Sequence, residues 1–268
     1  MIDLHCHILP GLDDGPECIE ESVSMARMAV ADGIVMMTCT PHIMKGVYDN
    51  NTGKILRALC TLQALLDKSG IGLELALGAD VHVAPDLPTA LGAGEIPTLN
   101  GSRYVLLEPP HHVLPPRLEL LAARLIKTGL TPIITHPERL TWISQHYAVM
   151  ERLNTMGCMM QITAGSVTGA FGKTVRYYAE RLLDEGRVDI LASDAHNTHS
   201  RPPVLSRARE IVAQRIGHRA ASRMVVECPA QILTDKAVFA RGQSIGSVGD
   251  TGSETKRWGL GRLLRTGT

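Results

Sequence analysis

Two histidines one residue apart, His5 and His7, begin a sequence in which imidazoles and carboxylates recur at the ends of apolar runs. Residues two apart on a strand point to the same face, so both imidazoles can reach one metal ion. Taken alone, HxH is weak: two half-buried core histidines satisfy it equally well. Asp194-Ala-His196 repeats the spacing with a carboxylate and an imidazole, and His42, Asp80, Glu108 and His136 each end or follow a further apolar run. Mixed His and carboxylate donors suit Mn, Fe or Zn better than the all-oxygen sites of Mg or Ca. No plausible thiolate set exists, which sets structural zinc aside.

Two arginines lie just beyond these positions, Arg139 in His-Pro-Glu-Arg and Arg201 after Asp194-Ala-His-Asn-Thr-His-Ser. Guanidinium forks match phosphate oxygens, so two of them beside a metal cluster point to a phosphoryl substrate. Either one alone reads as evenly as a surface arginine in an ion pair. In Asp13-Asp14-Gly15, Asp14 is assigned to metal, whereas Asp13 reads as a turn and helix-capping residue. Glu17 reads first as an acid of the helix's first turn, favoured by the helix dipole, and otherwise as a group that supports the ligands. His82, His111, His112 and His199 fall in loops near the expected mouth and are not taken as ligands. His146 and His218 read as surface residues of helices.

These residues need a frame that brings strand ends together. Apolar, β-branched runs at Ile2–His7, Ile34–Thr40, Leu73–Asp80, Tyr104–Glu108, Pro132–His136, Met159–Thr163 and Val188–Asp194 read as strands. Between them Glu17–Asp32, Thr52–Lys68, Pro116–Thr128, Thr141–Met156, Lys173–Glu185 and Pro202–Arg215 read as helices; in the first, Val23, Ala26, Ala29 and Val30 share a face. The alternation predicts an α/β fold, a distorted parallel βα barrel of about seven strands. The candidate ligands then sit at the carboxyl ends of six strands, where parallel barrels assemble active sites.

The 268 residues, 44% hydrophobic, suit one large domain over 1–240. Arg241–Thr268 is rich in Gly, Ser and Thr and reads as a flexible tail, with Trp258–Leu264 as a short docking segment. Balanced charge (27 basic, 27 acidic) and 3% aromatics give no support for nucleic-acid binding. No apolar run nears the roughly 20 residues that cross a bilayer, and no signal-like segment opens the chain, so a cytoplasmic location is expected. The six cysteines lack CxxC spacing and read as reduced thiols; none has an arginine six positions on, as a thiolate phosphatase loop requires. No GxxxxGK[ST] or GxGxxG motif is present.

With those residues in place, the chain resembles the PHP (polymerase and histidinol phosphatase) superfamily, and within it the bacterial tyrosine phosphatases found with capsule and exopolysaccharide genes. The resemblance rests on Met1–Gly15, Thr40-Pro-His42, Gly78-Ala-Asp80, Ile96-Pro-Thr-Leu, Tyr104–Glu108, His136–Arg139, Ser193–Asn197 and Arg201-Pro-Pro203, in family order to about Thr234. It implies three divalent metals, manganese first, with iron or zinc as alternatives. His5, His7 and Asp194 would hold one, Glu108 and His136 a second, Asp14, His42 and His196 a third, with position 80 bridging two. Arg139 and Arg201 would contact phosphate. The implied substrate is phosphotyrosine on a protein, such as the tail of an autophosphorylating bacterial tyrosine kinase. One departure stands out: Asp80 occupies a position where the family usually has Glu. The rival readings are a small-molecule enzyme such as histidinol-phosphate phosphatase, and an impaired scaffold that tethers a kinase.

Overall fold

The computed structural model describes residues 1–238, which form one unit. The tail expected at Arg241–Thr268, with its docking segment, lies outside the described residues. Among the described residues, nine short strands are interspersed with helices. β1 (Ile2–Cys6), α1 (Ile19–Ala31), β2 (Met36–Cys39), β3 (His42–Ile43), α2 (Thr52–Lys68), β4 (Glu74–Leu77), β5 (Asp80–His82) and α3 (Leu87–Gly92) come first. β6 (Tyr104–Glu108), α4 (Leu118–Lys127), β7 (Thr131–Thr135), α5 (Ile143–Thr155), β8 (Met159–Thr163), α6 (Ala164–Thr168), α7 (Lys173–Asp184) and β9 (Ile190–Ala192) follow. α8 (Ser206–Ile216), α9 (His218–Ser222) and α10 (Cys228–Leu233) close the order.

Every strand-to-strand pairing between named strands is parallel, in a sheet β1-β2-β4 and a sheet β3-β5-β6-β7-β8-β9. The two sheets meet where the chain leaves β1 and β9: Asp194 N–H donates to His5 O at 2.9 Å and His7 N–H to Ala195 O at 2.8 Å. Parallel α/β architecture is as expected, but seven unbroken strands are not what forms. The third is split, and a short additional strand, β3, follows the second. Pro41 has no N–H to donate, and it separates β2 from β3. Gly78 separates β4 from β5 where backbone and neighbours crowd: a Cβ there would lie 2.7 Å from Thr38 Cγ2 and 2.9 Å from Leu99 Cδ2.

The six expected helices form within a few residues of their predicted limits, and their apolar stripes explain why. α2 starts at Asn51, whose side chain accepts from Lys54 N–H at 3.0 Å, and buries Ile55, Leu59, Leu62 and Leu66 at helical spacing. α1 is rotated slightly from the predicted face. It buries Ser22, Met25, Ala26 and Ala29, leaving Val30 exposed.

The larger apolar core lies between strands and helices, and a second cluster gathers Leu4, Leu106, Ile133 and Ile190 against Ile232 and Leu233 of α10. Along β6, Tyr104 and Leu106 belong to that second cluster. Glu108, two residues further on, falls on the same face at the carboxyl end of the strand.

Candidate metal centre

His5 and His7 are fully buried and converge as the HxH spacing requires, with their Nε2 atoms 3.1 Å apart. Each ring is held by its other nitrogen. His5 Nδ1 lies 2.8 Å from Gln161 Oε1 of β8, and His7 Nδ1 lies 2.6 Å from Asp13 Oδ2. A donor at Nδ1 leaves a lone pair at Nε2, the arrangement that orients metal-binding imidazoles. Asp13 therefore does not cap a helix. α1 begins at Ile19 after Cys18, and Asp13 instead accepts from His7 and from the N–H groups of Gly15 (3.0 Å) and His42 (2.9 Å). Glu17 also precedes that helix, whose first-turn acids are Glu20 and Glu21.

Gly15 makes this loop possible, since a Cβ there would fall 2.2 Å from His7 O. The tight approach carries Asp14 to the strand ends, where its Oδ1 lies 3.5 Å from His42 Nε2 and 3.2 Å from His196 Nε2. His136 (φ 34°) and Asp194 (φ 52°) occupy the left-handed region that non-glycine residues rarely adopt, a strain tolerated where a site demands a set direction.

Four sets of side chains have ligand atoms within 4.8 Å of one another: His7, Asp14, His42 and His196; His5, His7 and Asp80; His42, Asp80 and Glu108; and Glu108, His111 and His136. Eight of the nine predicted ligands fall in these sets. Asp194 stands beside them, its Oδ1 3.4 Å from the Nε2 atoms of both His5 and His7. Its Oδ2 accepts from Arg139 and, at 2.6 Å, from Arg201 Nη2. Both predicted arginines thus border the cluster, and the Arg139 guanidinium lies 4.5 Å from the Phe171 ring centroid.

Asp80 is completely buried, yet neither of its carboxylate oxygens has a hydrogen-bond donor. His42 Nδ1, His136 Nδ1 and His196 Nε2 are likewise buried without one. An ionised carboxylate held this way is costly unless a cation meets it, and divalent metal ions fit this mixed donor set. Burial resists a charge on His5, but Asp80 and Asp194 overcome it and raise its pKa to about 9. For His42, burial is likewise outweighed by Glu108 and Asp80, and the pKa rises to about 10. Asp13 is lowered to about 2, against burial, by His7. His196 falls to about 4 through burial and His7. At His5 and His42 the neighbouring carboxylates thus favour positive charge.

Gln161 escaped the sequence reading, which took Asp13 for a turn and capping residue and His111 for a loop histidine. Gln161 sits inside a strand with no pattern to mark it, and Asp13 resembled an ordinary turn residue. His111 was visible as a loop histidine three residues after Glu108. His82 also approaches Glu108, with Nδ1 3.4 Å from Oε2, while His112 and His199 are exposed.

Residues 1–234 match the family described as capsular polysaccharide synthesis, CpsB/CapC. The chain belongs to that family. It is 33% identical to the tyrosine-protein phosphatase YwqE of Bacillus subtilis, over 89% of this chain and 94% of the relative. It is 31% identical to the tyrosine-protein phosphatase CpsB of Streptococcus pneumoniae, over 89% of this chain and all of the relative. A crystal structure from work on YwqE and CpsB, described as unique metal-dependent tyrosine phosphatases, matches with a TM-score of 0.85 at 33% identity. It covers 89% of this chain and 96% of that one. A histidinol phosphate phosphatase from Lactococcus lactis matches at TM-score 0.53 and 11% identity, over 81% of this chain and 95% of that one, a likeness of fold alone.

Proposed function

We propose that this CpsB/CapC-family chain is a metal-dependent protein-tyrosine phosphatase acting in capsule or exopolysaccharide synthesis. Its substrate would be a phosphotyrosine protein, the tail of an autophosphorylating bacterial tyrosine kinase. The observation that carries the reading is Asp80, a fully buried carboxylate without a donor, ringed by imidazoles and bordered by two arginines on Asp194. His5, His7, Asp14, His42, Asp80, Glu108, His136, Asp194 and His196 would hold up to three divalent ions, manganese first. Bound there, such ions supply Lewis-acid stabilisation of a phosphoryl group and an acidified water nucleophile.

The chain's own residues do the rest. Asp13 and Gln161 hold the His7 and His5 rings so that both Nε2 atoms point to one place. The forks of Arg139 and Arg201 neutralise charge on the phosphoryl oxygens and set the orientation of the ester. A tyrosine phenolate leaves readily, with a pKa of about 10, so little general-acid help is needed. A cytoplasmic location is part of the proposal. Among the described residues, no helix is long and apolar enough to cross a membrane.

Hydrolysis of a phosphotyrosine peptide and of histidinol phosphate, before and after chelation and manganese return, tests this. The peptide should be preferred, with turnover lost on chelation and restored by manganese. Full turnover after verified metal removal would overturn the metallophosphatase reading; preference for histidinol phosphate would overturn only the substrate.

A further inference from the structure

The two oxygens of Glu108 look in different directions. Oε2 lies 3.3 Å from His42 Nδ1, on the side of the set that includes Asp80. Oε1 lies 3.5 Å from His136 Nε2 and 3.6 Å from His111 Nε2. Asp80 is in the first of these sets and not in the second. Without His111, the Oε1 side would offer a cation only Glu108 and His136. Catalytic metal sites ordinarily keep three protein ligands and leave another position open.

We infer that His111 is the third protein ligand of the cation held by Glu108 and His136, a position that the short Asp80 side chain does not serve. His111 is fixed for that task. Its carbonyl accepts from Thr141 N–H and Thr141 Oγ1, both at 2.9 Å, and Trp142 Nε1 donates to Pro110 O at 2.9 Å. The loop after β6 is thereby tied to the segment that follows Arg139. The imidazole lies against His136, ring centroids 5.0 Å apart, and is 30% exposed, so it closes the set from the solvent side.

This inference rests on the metallophosphatase reading, and metal analysis separates the two. Wild type, His111→Ala and His112→Ala would be stripped, titrated with manganese, and analysed for bound metal and for melting temperature with and without metal. His111→Ala should bind one equivalent less, or bind its weakest ion at least about tenfold less tightly. His112→Ala, altered at the exposed neighbour, should match wild type. The metal-free proteins should melt alike, and only the loaded His111→Ala protein should fall behind. Equal stoichiometry and affinity in wild type and His111→Ala would overturn the assignment. So would an equal melting deficit with and without metal, because it would mark His111 as a packing residue. A wild type that binds no metal would instead sink the metallophosphatase reading.

Discussion

Along β6, Tyr104 and Leu106 enter an apolar cluster closed by Ile232 and Leu233, whereas Glu108, next on the same face, enters the candidate metal centre. β8 repeats the change: Met159 lies in the apolar cluster, and Gln161 on the same face holds His5. At the amino end, side chains satisfy one another by packing. At the carboxyl end, Asp80, His42, His136 and His196 carry buried polar atoms that make no hydrogen bond. One end is complete from the chain alone, and the other needs cations. Changes at the amino end should therefore alter stability and spare metal affinity, while changes at the carboxyl end should do the reverse.

The largest expected separation comes from Leu106→Ala, which removes a fully buried side chain from the amino-end cluster. It should cost about 2–5 kcal/mol of stability, the usual range for a cavity of this kind. Denaturant unfolding of the metal-free protein would measure it. Manganese stoichiometry of the folded variant should stay at the wild-type value. A variant that unfolds normally but loses metal would break the division between the two ends.

Arg201→Lys addresses the carboxyl end. Arg201 donates to Asp194 Oδ2, and a lysine can keep that charge pairing while losing the bidentate fork. The kcat/KM for phosphotyrosine peptide should fall about a hundredfold, equivalent to roughly 2.7 kcal/mol of transition-state stabilisation. Metal content should not change. Arg209→Lys, on α8, serves as the control and should do little. Loss of metal together with activity would place Arg201 in support of Asp194 and not of phosphate.

Asp13→Asn sharpens the comparison further, because it nearly keeps the side chain's shape while weakening the acceptor shared by His7 and the N–H groups of Gly15 and His42. Loss of such a supporting contact typically lowers metal affinity by about 10- to 100-fold. Manganese titration should show that drop, and unfolding of the metal-free protein should show little. Unchanged affinity would mean that the His7 ring is held by packing alone.

That contact also shows where sequence reasoning stopped. His5, His7, Asp194 and His196 were legible because a strand's two-residue period places each pair on one face. His42, Asp80, Glu108 and His136 were legible from their place at the ends of apolar runs. Asp13 and Gln161 were not, because each acts on a residue brought near by folding: Gln161 lies 156 positions from His5. The break after β4 falls at Gly78, inside the expected third strand, and only the packing of Thr38 and Leu99 explains why that strand divides. α6, α9 and α10 are too short for their apolar spacing to stand out from the loops around them.

The smallest effect is expected from the cysteines. Burial pushes the Cys158 thiol up to about 12 and raises Cys39 and Cys6 as well, so none of these buried groups is a ready thiolate. Cys6 belongs to the buried stretch between His5 and His7, its Sγ 3.6 Å from Ala195 O, so a change there would disturb the centre through packing. The exposed Cys18 and Cys60 allow a cleaner test. Cys18 stands at the start of α1 without a side-chain capping bond, and Cys60 lies on the exposed side of α2. Serine at either position should leave stability within about 0.5 kcal/mol and phosphotyrosine turnover unchanged. A folded Cys18→Ser or Cys60→Ser protein with full metal and no turnover would reveal a thiol nucleophile. Phosphoryl transfer would then begin at sulfur, away from the polar carboxyl-end cluster.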